Sequence, residues 1–402
     1  MEEEFCLKDS PQEVIDVGEK SGIRPKGRSY NQEYSIKPCG IKASEVAFGI
    51  KCACVSIIDD NPGTLKEIAV GAGPWHIESM KMICNGDEEK SNGVLSDILD
   101  EFFGLKLDKF MNYSYMASNG ASIDTQGYIA HNDTTVVLAY RCTTSIKDWM
   151  TNFEIVTSAW EPEEDIKQGN SGFLSCIEGR FDPLIFCSKN IAKPRLHSGF
   201  YDNFIASFPD IKEYVSPLLG SDEPPRTLYV VGHSLGAGVA TVAATYMLFN
   251  FDWENSKHRF INVTAGSPRV VTPELNQWIK EKMEVLRPLD KAVIARVVSN
   301  KDIVARVPPA ALGFQHIDKC VFFNEDNECL INPDLNNLVD VPIEDATKHF
   351  EKEDKKDDDD VVELTDYQKE MKMMPEAGRD HCPDVYLQHV FDLLKIDLEQ
   401  KD

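Results

Sequence analysis

No stretch of this sequence is apolar for long enough to cross a bilayer. Near its most apolar segment the longest run free of charges and breakers, Val239 to Phe249, has 11 residues, short of the ~20 that a membrane helix needs. The opening MEEEFCLKDSPQEV has neither a basic n-region nor an apolar h-region, so no secretory signal is read there and a cytoplasmic location is expected. Positive charge is scarce: 42 Lys and Arg stand against 67 Asp and Glu, a formal net charge of −25. That balance argues against a nucleic-acid partner and disfavours electrostatic docking on an anionic membrane, while leaving apolar contact with a lipid surface open. The 11 cysteines are scattered, and Cys52-x-Cys54 is their one close pair, without histidines at ligand spacing. Neither a metal site nor a disulfide framework is expected, and the thiols are read as mostly reduced. No internal repeat is evident.

What is present is an ordinary apolar content of 42% over 402 residues, enough for one large α/β domain with decorations. The chain is organised around residues 226 to 249, RTLYVVGHSLGAGVATVAATYMLF. Leu228 to Val231 is a short β-branched run of the kind found in a buried parallel strand. Gly232-His233-Ser234-Leu235-Gly236 follows, and then a small-residue run that reads as a helix from near Leu235. Strand, tight turn with a serine, and helix form the context that the G-x-S-x-G nucleophile elbow requires. Gly232 and Gly236 are read as the positions where strand and helix pass too closely for a side chain.

Around this centre, strand and helix alternate. Residues 1 to 40 are polar and read as a loosely ordered arm. Residues 41 to 402 read as a single domain, with an acidic insertion at about 340 to 378. Ala43 to Val55 suits a helix. Residues 94 to 111 carry apolar groups at helical spacing and read as an amphipathic helix broken at Gly104. Residues 124 to 141 read as two strands joined at His131-Asn132-Asp133, the second of them, Val136 to Tyr140, apolar throughout and therefore central. Helices are expected from His197-Ser198-Gly199-Phe200 to Leu219, over Pro273 to Val285 and over Asp384 to Leu394. Strands are expected at Phe260 to Ala265 and Ala292 to Ser299, and a hairpin at 319 to 331. The alternation predicts a mostly parallel central sheet with helices on both faces.

A serine hydroxyl needs a base within hydrogen-bond reach, and the base needs a third group to orient it. On a sheet with this elbow the chain order is serine, acid, histidine. Asp302 follows the strand 292 to 299, and His381 directly precedes the closing helix. The rivals are Asp290, which precedes that strand, and four histidines: His316 close after Asp302, His349 in the acidic insertion, His389 inside the last helix, and His233 beside the serine. The turn after Tyr140, Arg141-Cys142-Thr143-Thr144-Ser145, lies where an oxyanion-hole donor belongs, and Ile146, Trp149 and Met150 beyond it share one helical face.

These motifs resemble the class 3 lipases, the α/β-hydrolase family of the fungal triacylglycerol lipases. Gly232-His233-Ser234-Leu235-Gly236-Ala237-Gly238 matches the family's elbow. Ser299-Asn300-Lys301-Asp302-Ile303-Val304 with Pro308-Pro309 matches its acid loop, and Asp380-His381 with Tyr386-Leu387 its histidine region. His197-Ser198-Gly199-Phe200 matches a recurrent helix start. The resemblance runs from about Asp124 to the C-terminus. It implies an α/β-hydrolase fold and a serine esterase for tri- or diacylglycerols at a lipid–water interface. The catalytic residues would be Ser234, Asp302 and His381, with the Thr143 and Leu235 backbone N–H groups as oxyanion donors and no cofactor or metal. Ile146, Trp149 and Met150 would belong to a lid, and the chain would contact lipid droplets or membranes peripherally. Phospholipase A1 or galactolipase activity, or a scaffold without catalysis, are the alternatives.

Two departures stand out. Cys142 occupies the place of a family glycine, and the acidic run Glu351 to Asp360 separates acid from histidine, where diacylglycerol lipases of the family carry a regulatory insertion. A charge run of this kind does not bury apolar surface, whereas Met371, Met373 and Met374 offer adaptable apolar contacts. The insertion is therefore expected to control access to the site. Deletion of residues 348 to 360 is then expected to speed hydrolysis of soluble esters. Unchanged rates on both soluble and emulsified ester would mark it as passive surface.

Overall fold

The computed structural model describes residues 14–15, 35–36, 41–58, 74–84, 94–116, 122–142, 157–159, 194–221, 223–308, 310–324, 329–331 and 376–398. In chain order the strands are β1 (Val14–Ile15), β2 (Ser35–Ile36), β3 (Ile41–Lys42), β4 (Lys106–Met116), β5 (Ser122–His131), β6 (Thr135–Tyr140), β7 (Thr157–Ala159), β8 (Arg195–His197), β9 (Thr227–His233), β10 (Arg259–Ala265), β11 (Ala292–Ser299), β12 (Lys319–Phe323) and β13 (Cys329–Ile331). Nine of them form one sheet in the order β1-β13-β12-β11-β10-β9-β6-β5-β4. Its middle, β6, β9, β10, β11 and β12, is parallel, and β5 with β4 at one edge and β13 with β1 at the other are antiparallel. The predicted α/β architecture is thus present, with Val14–Ile15 of the N-terminal segment joined to the sheet.

The central strands are apolar on both faces because both faces are covered. Every residue of β11, AVIARVVS, is buried. Val137, Ala139, Tyr229, Val231, Ile261, Val263, Ala295 and Val297 pack on one side, against the helix Ala43–Val55 and the closing helix Pro383–Leu398. Val136, Leu138, Leu228, Val230, Phe260 and Ile294 pack on the other, with the elbow helix Leu235–Asn250, the helix Ser198–Asp210 and the helix Pro273–Leu286. The elbow helix is buried nearly all round, as its small, uncharged sequence requires.

One expectation is corrected. The stretch 94 to 111 is a helix only over Leu95–Phe103, and Gly104 closes it in the left-handed conformation at φ 60°. Lys106 onward is the edge strand β4, paired with β5 through a register shift at Leu107/Lys109. The apolar spacing there suits either period, and pairing with β5 decides it. Pro74–Ile83 is an additional helix. Residues 160–193, the charge run Glu351 to Asp360 and the stretch Tyr367 to Met374 lie outside the described residues.

The helix Ala43–Val55 approaches the sheet at Gly49, where an added Cβ would lie 2.6 Å from Val263 Cβ. Buried side chains on both elements leave this contact no room to open without repacking. Gly49→Val is expected to destabilise the fold by about 1–3 kcal/mol, read as a lower urea midpoint at unchanged slope.

Candidate active site

The central strands end together at one edge of the sheet, the place where open α/β sheets bind ligands. Ser234 stands at the end of β9, Cys142 just past β6, and Asp302 just past β11. The serine is held by geometry that a regular strand or helix does not use. Its φ of 58° and ψ of −126° are strained for any residue with a side chain. Its N–H donates to the Ala265 carbonyl at 3.0 Å, and its own carbonyl accepts from the N–H groups of Ala237 and Gly238 at 3.0 and 3.2 Å. Close packing keeps this turn in place. A Cβ on Gly232 would stand 2.3 Å from the Gly236 carbonyl oxygen, and one on Gly236 would stand 2.3 Å from the Tyr140 carbonyl oxygen. Both glycines are therefore required for the backbone approach the sequence predicts. Leu235 opens the elbow helix, where the first N–H groups have no intrahelical acceptor and the helix dipole is positive.

Asp302 is fully buried, and its carboxylate is surrounded by donors. Oδ1 accepts from the Val304 N–H at 2.8 Å and the Ala305 N–H at 3.4 Å. Nδ1–H of His381 donates to the same carboxylate, 2.9 Å from Oδ1 and 2.8 Å from Oδ2. The Tyr386 hydroxyl, from the closing helix, donates to Oδ2 and accepts from the Ser299 N–H at 3.1 Å. Burial first, and then the charge and hydrogen bond of Asp302, push the Tyr386 phenol well above its usual range, so it stays a donor. The next residue back from His381 ties the two loops together. Asp380 accepts from the Asn300 amide and from the Lys301 N–H, both at 3.0 Å.

His381 is fully buried. With Nδ1 committed to Asp302, its Nε2 carries the lone pair. Among the described residues neither His381 Nε2 nor Ser234 Oγ has a hydrogen-bond partner, although both atoms are sealed from solvent. The two residues are brought together through their neighbours. The His233 ring lies on the His381 ring at a centroid distance of 4.7 Å and an interplanar angle of 28°. Gly266, next to Ala265, passes so close to the pair that an added Cβ would be 2.7 Å from Asp302 Oδ2 and 2.8 Å from His381 Nδ1.

The rivals are occupied elsewhere. Asp290 is exposed and pairs with Arg259, before β11 rather than after it. His316 donates Nε2–H to the Ala305 carbonyl, and burial together with Arg296 and Arg269 lowers its pKa well below the usual range. His389 meets the Ser299 hydroxyl at 3.0 Å and stacks on Phe323. His349, Thr143, Ile146, Trp149 and Met150 lie outside the described residues. Cys142 is buried, and burial raises its thiol to about 11, which makes it an inert side chain at neutral pH. Sequence reasoning did not single out the contacts of Tyr386, Asp380 and His233. For Asp380 and Tyr386 the signal was nearness to His381 in the chain. For His233 it was nearness to Ser234.

Among the described residues no group of three or more His, Cys, Asp or Glu is placed to hold a metal ion, and no helix is long and apolar enough to cross a membrane.

Residues 137–312 match the family model for lipase (class 3). The chain is similar to a lipase of Rhizomucor miehei, 25% identical over 198 residues that make up 48% of this chain and 43% of that one. It is also similar to a secreted mono- and diacylglycerol lipase of Penicillium cyclopium, 26% identical over 222 residues, 54% and 58% of the two chains. The solved mono- and diacylglycerol lipase of Aspergillus oryzae superposes with a TM-score of 0.47 at 15% identity, covering 77% of this chain and 96% of that one. The chain spans about half the length of the curated relatives it matches. The matched segment carries the elbow and the acid loop just described, and over it the chain is similar to the class 3 lipases.

Proposed function

We propose that this chain is a serine esterase that hydrolyses acylglycerols at a lipid–water interface, with Ser234 as nucleophile, His381 as general base and Asp302 as its orienting acid. One observation carries the reading. Ser234 Oγ and His381 Nε2 are two buried polar atoms without a partner, at the sheet edge where the family places its chemistry. Buried groups left unsatisfied in a folded protein call for a functional reason.

In the proposed reaction His381 Nε2 takes the hydroxyl proton as Ser234 Oγ attacks the ester carbonyl carbon. The tetrahedral oxyanion is held by backbone N–H groups, that of Leu235 at the positive end of the elbow helix and that of Thr143. Collapse breaks the ester C–O bond, and the proton on Nε2 passes to the departing glyceryl oxygen. A water then repeats the sequence on the acyl-enzyme and releases the fatty acid. Asp302 stabilises the imidazolium formed in each half. Ile146, Trp149 and Met150 act as a lid whose apolar face turns toward lipid, and the chain acts in the cytoplasm in peripheral contact with droplets or membranes.

Ser234→Ala and His381→Ala are each expected to abolish most turnover, with losses of similar size because the residues act as a unit. A fluorophosphonate is expected to label Ser234 alone. Label on another residue, or none, overturns the assignment. A panel of tri-, di- and monoacylglycerol, phosphatidylcholine and galactolipid identifies the head group.

Tyr386→Phe removes a donor to the buried Asp302 carboxylate and an acceptor for the Ser299 N–H. A hydrogen bond to a charged group contributes about 1.5–3 kcal/mol. The expected result is a lower kcat at nearly unchanged KM, milder than Ser234→Ala. Wild-type kcat in this variant would show that Tyr386 is not needed to hold the acid.

A further inference from the structure

His381 reaches the site from outside the sheet. It sits between the short helix Glu376–Arg379 and the closing helix Pro383–Leu398, while Ser234 is anchored at the end of β9. Catalysis requires these two to keep their register to a fraction of an ångström. The hydrogen bond to Asp302 fixes one side of the imidazole, but a ring on a loop also needs its backbone and its plane held.

We infer that His233 is the positioning residue that holds the general base against the nucleophile. It is the covalent neighbour of Ser234, and it is 2% exposed. Its Nε2 lies 2.8 Å from the His381 carbonyl oxygen, across 148 positions of sequence. A carbonyl only accepts, so His233 carries its proton on Nε2 and donates. The stacked rings define the plane of the base. The edge of the His233 ring also meets Tyr386 at 5.7 Å and 69°, and Tyr386 holds Asp302. One side chain, rigidly attached to the nucleophile's backbone, thereby contacts the peptide of the base, the ring of the base and the tyrosine behind the acid. His233 touches no reacting atom in this role, which distinguishes it from the three residues it aligns. The inference rests on the esterase reading for its effect on rate, and on the contacts alone for its effect on His381.

Two variants separate the hydrogen bond from the bulk. His233→Phe keeps a ring to stack and removes the donor, and His233→Gln keeps a donor and removes the ring. The expected result is that His233→Phe lowers kcat about tenfold to a hundredfold, the range for a slight misplacement of a catalytic group, with KM and thermal unfolding close to wild type. His233→Gln is expected to recover a measurable part of that loss. Wild-type kcat in His233→Phe overturns the proposal. So does a loss that merely follows the folded fraction in both variants. A second readout needs no turnover: the proton magnetic resonance of His381 Nδ1–H, which reports its bond to Asp302. It is expected to shift or exchange faster in His233→Phe but not in Ser234→Ala, and an identical signal in all three proteins overturns the proposal. A wild-type chain that neither cleaves esters nor takes a phosphonate refutes the esterase reading, and the resonance then decides the positioning role by itself.

Discussion

The arrangement depends on a carboxylate with no access to water. Asp302 is fully buried, and an isolated charge in such a place is costly unless it is paired and hydrogen-bonded. Its partners come from two parts of the chain: two backbone amides of its own loop, and the imidazole of His381 with the phenol of Tyr386 from the C-terminal segment. The closing helix is therefore more than a cover for one face of the sheet. Its Tyr386 hydroxyl bridges the end of β11 to the acid, so docking of that helix and solvation of the buried charge are one event. Loss of either leaves a charge unpaired in the interior, which costs more than the bond contributes when present.

A second constraint meets this one at the elbow. The turn at Ser234 is strained, and its strain is tolerated because the surroundings leave the backbone no alternative. Gly232, Gly236 and the Tyr140 carbonyl fill the space that a relaxed turn would occupy. The elbow helix is pressed into this position from behind as well, since an added Cβ on Gly238 would lie 2.4 Å from the Phe200 ring. Packing of apolar helices on a parallel sheet thus holds Ser234, and hydrogen bonding to a buried carboxylate holds Asp302 and His381 together. The two systems touch at His233 and Gly266, where small shape and ring contact replace any covalent link.

Much of this was legible in the chain because the rules involved are local. A β-branched run followed by glycines and serine names the elbow, and strict order along the sheet picks out Asp302 and His381, the pair that the structure joins by a hydrogen bond. The central strands and their helices were visible for the same reason, since an apolar run buried on both faces has few other readings. Residues 106 to 111 were not, because their apolar spacing suits a helix as well as an edge strand, and pairing with β5 makes the choice. Asp380, Tyr386 and His233 stand inside the motifs around His381 and Ser234, but the motifs do not name their contacts. Their roles arise from contacts spanning some 80 to 150 positions, and no local pattern encodes those.

Ser234 is only 1% exposed, and His381 and Asp302 are not exposed at all. A dry site strengthens every electrostatic contact in it, which suits an imidazolium held between a carboxylate and an oxyanion. The same dryness opposes entry of any ligand. The parts that hold the base cannot be the parts that yield: His233, Tyr386 and Asp302 are interlocked core residues, and displacing one uncovers a buried charge.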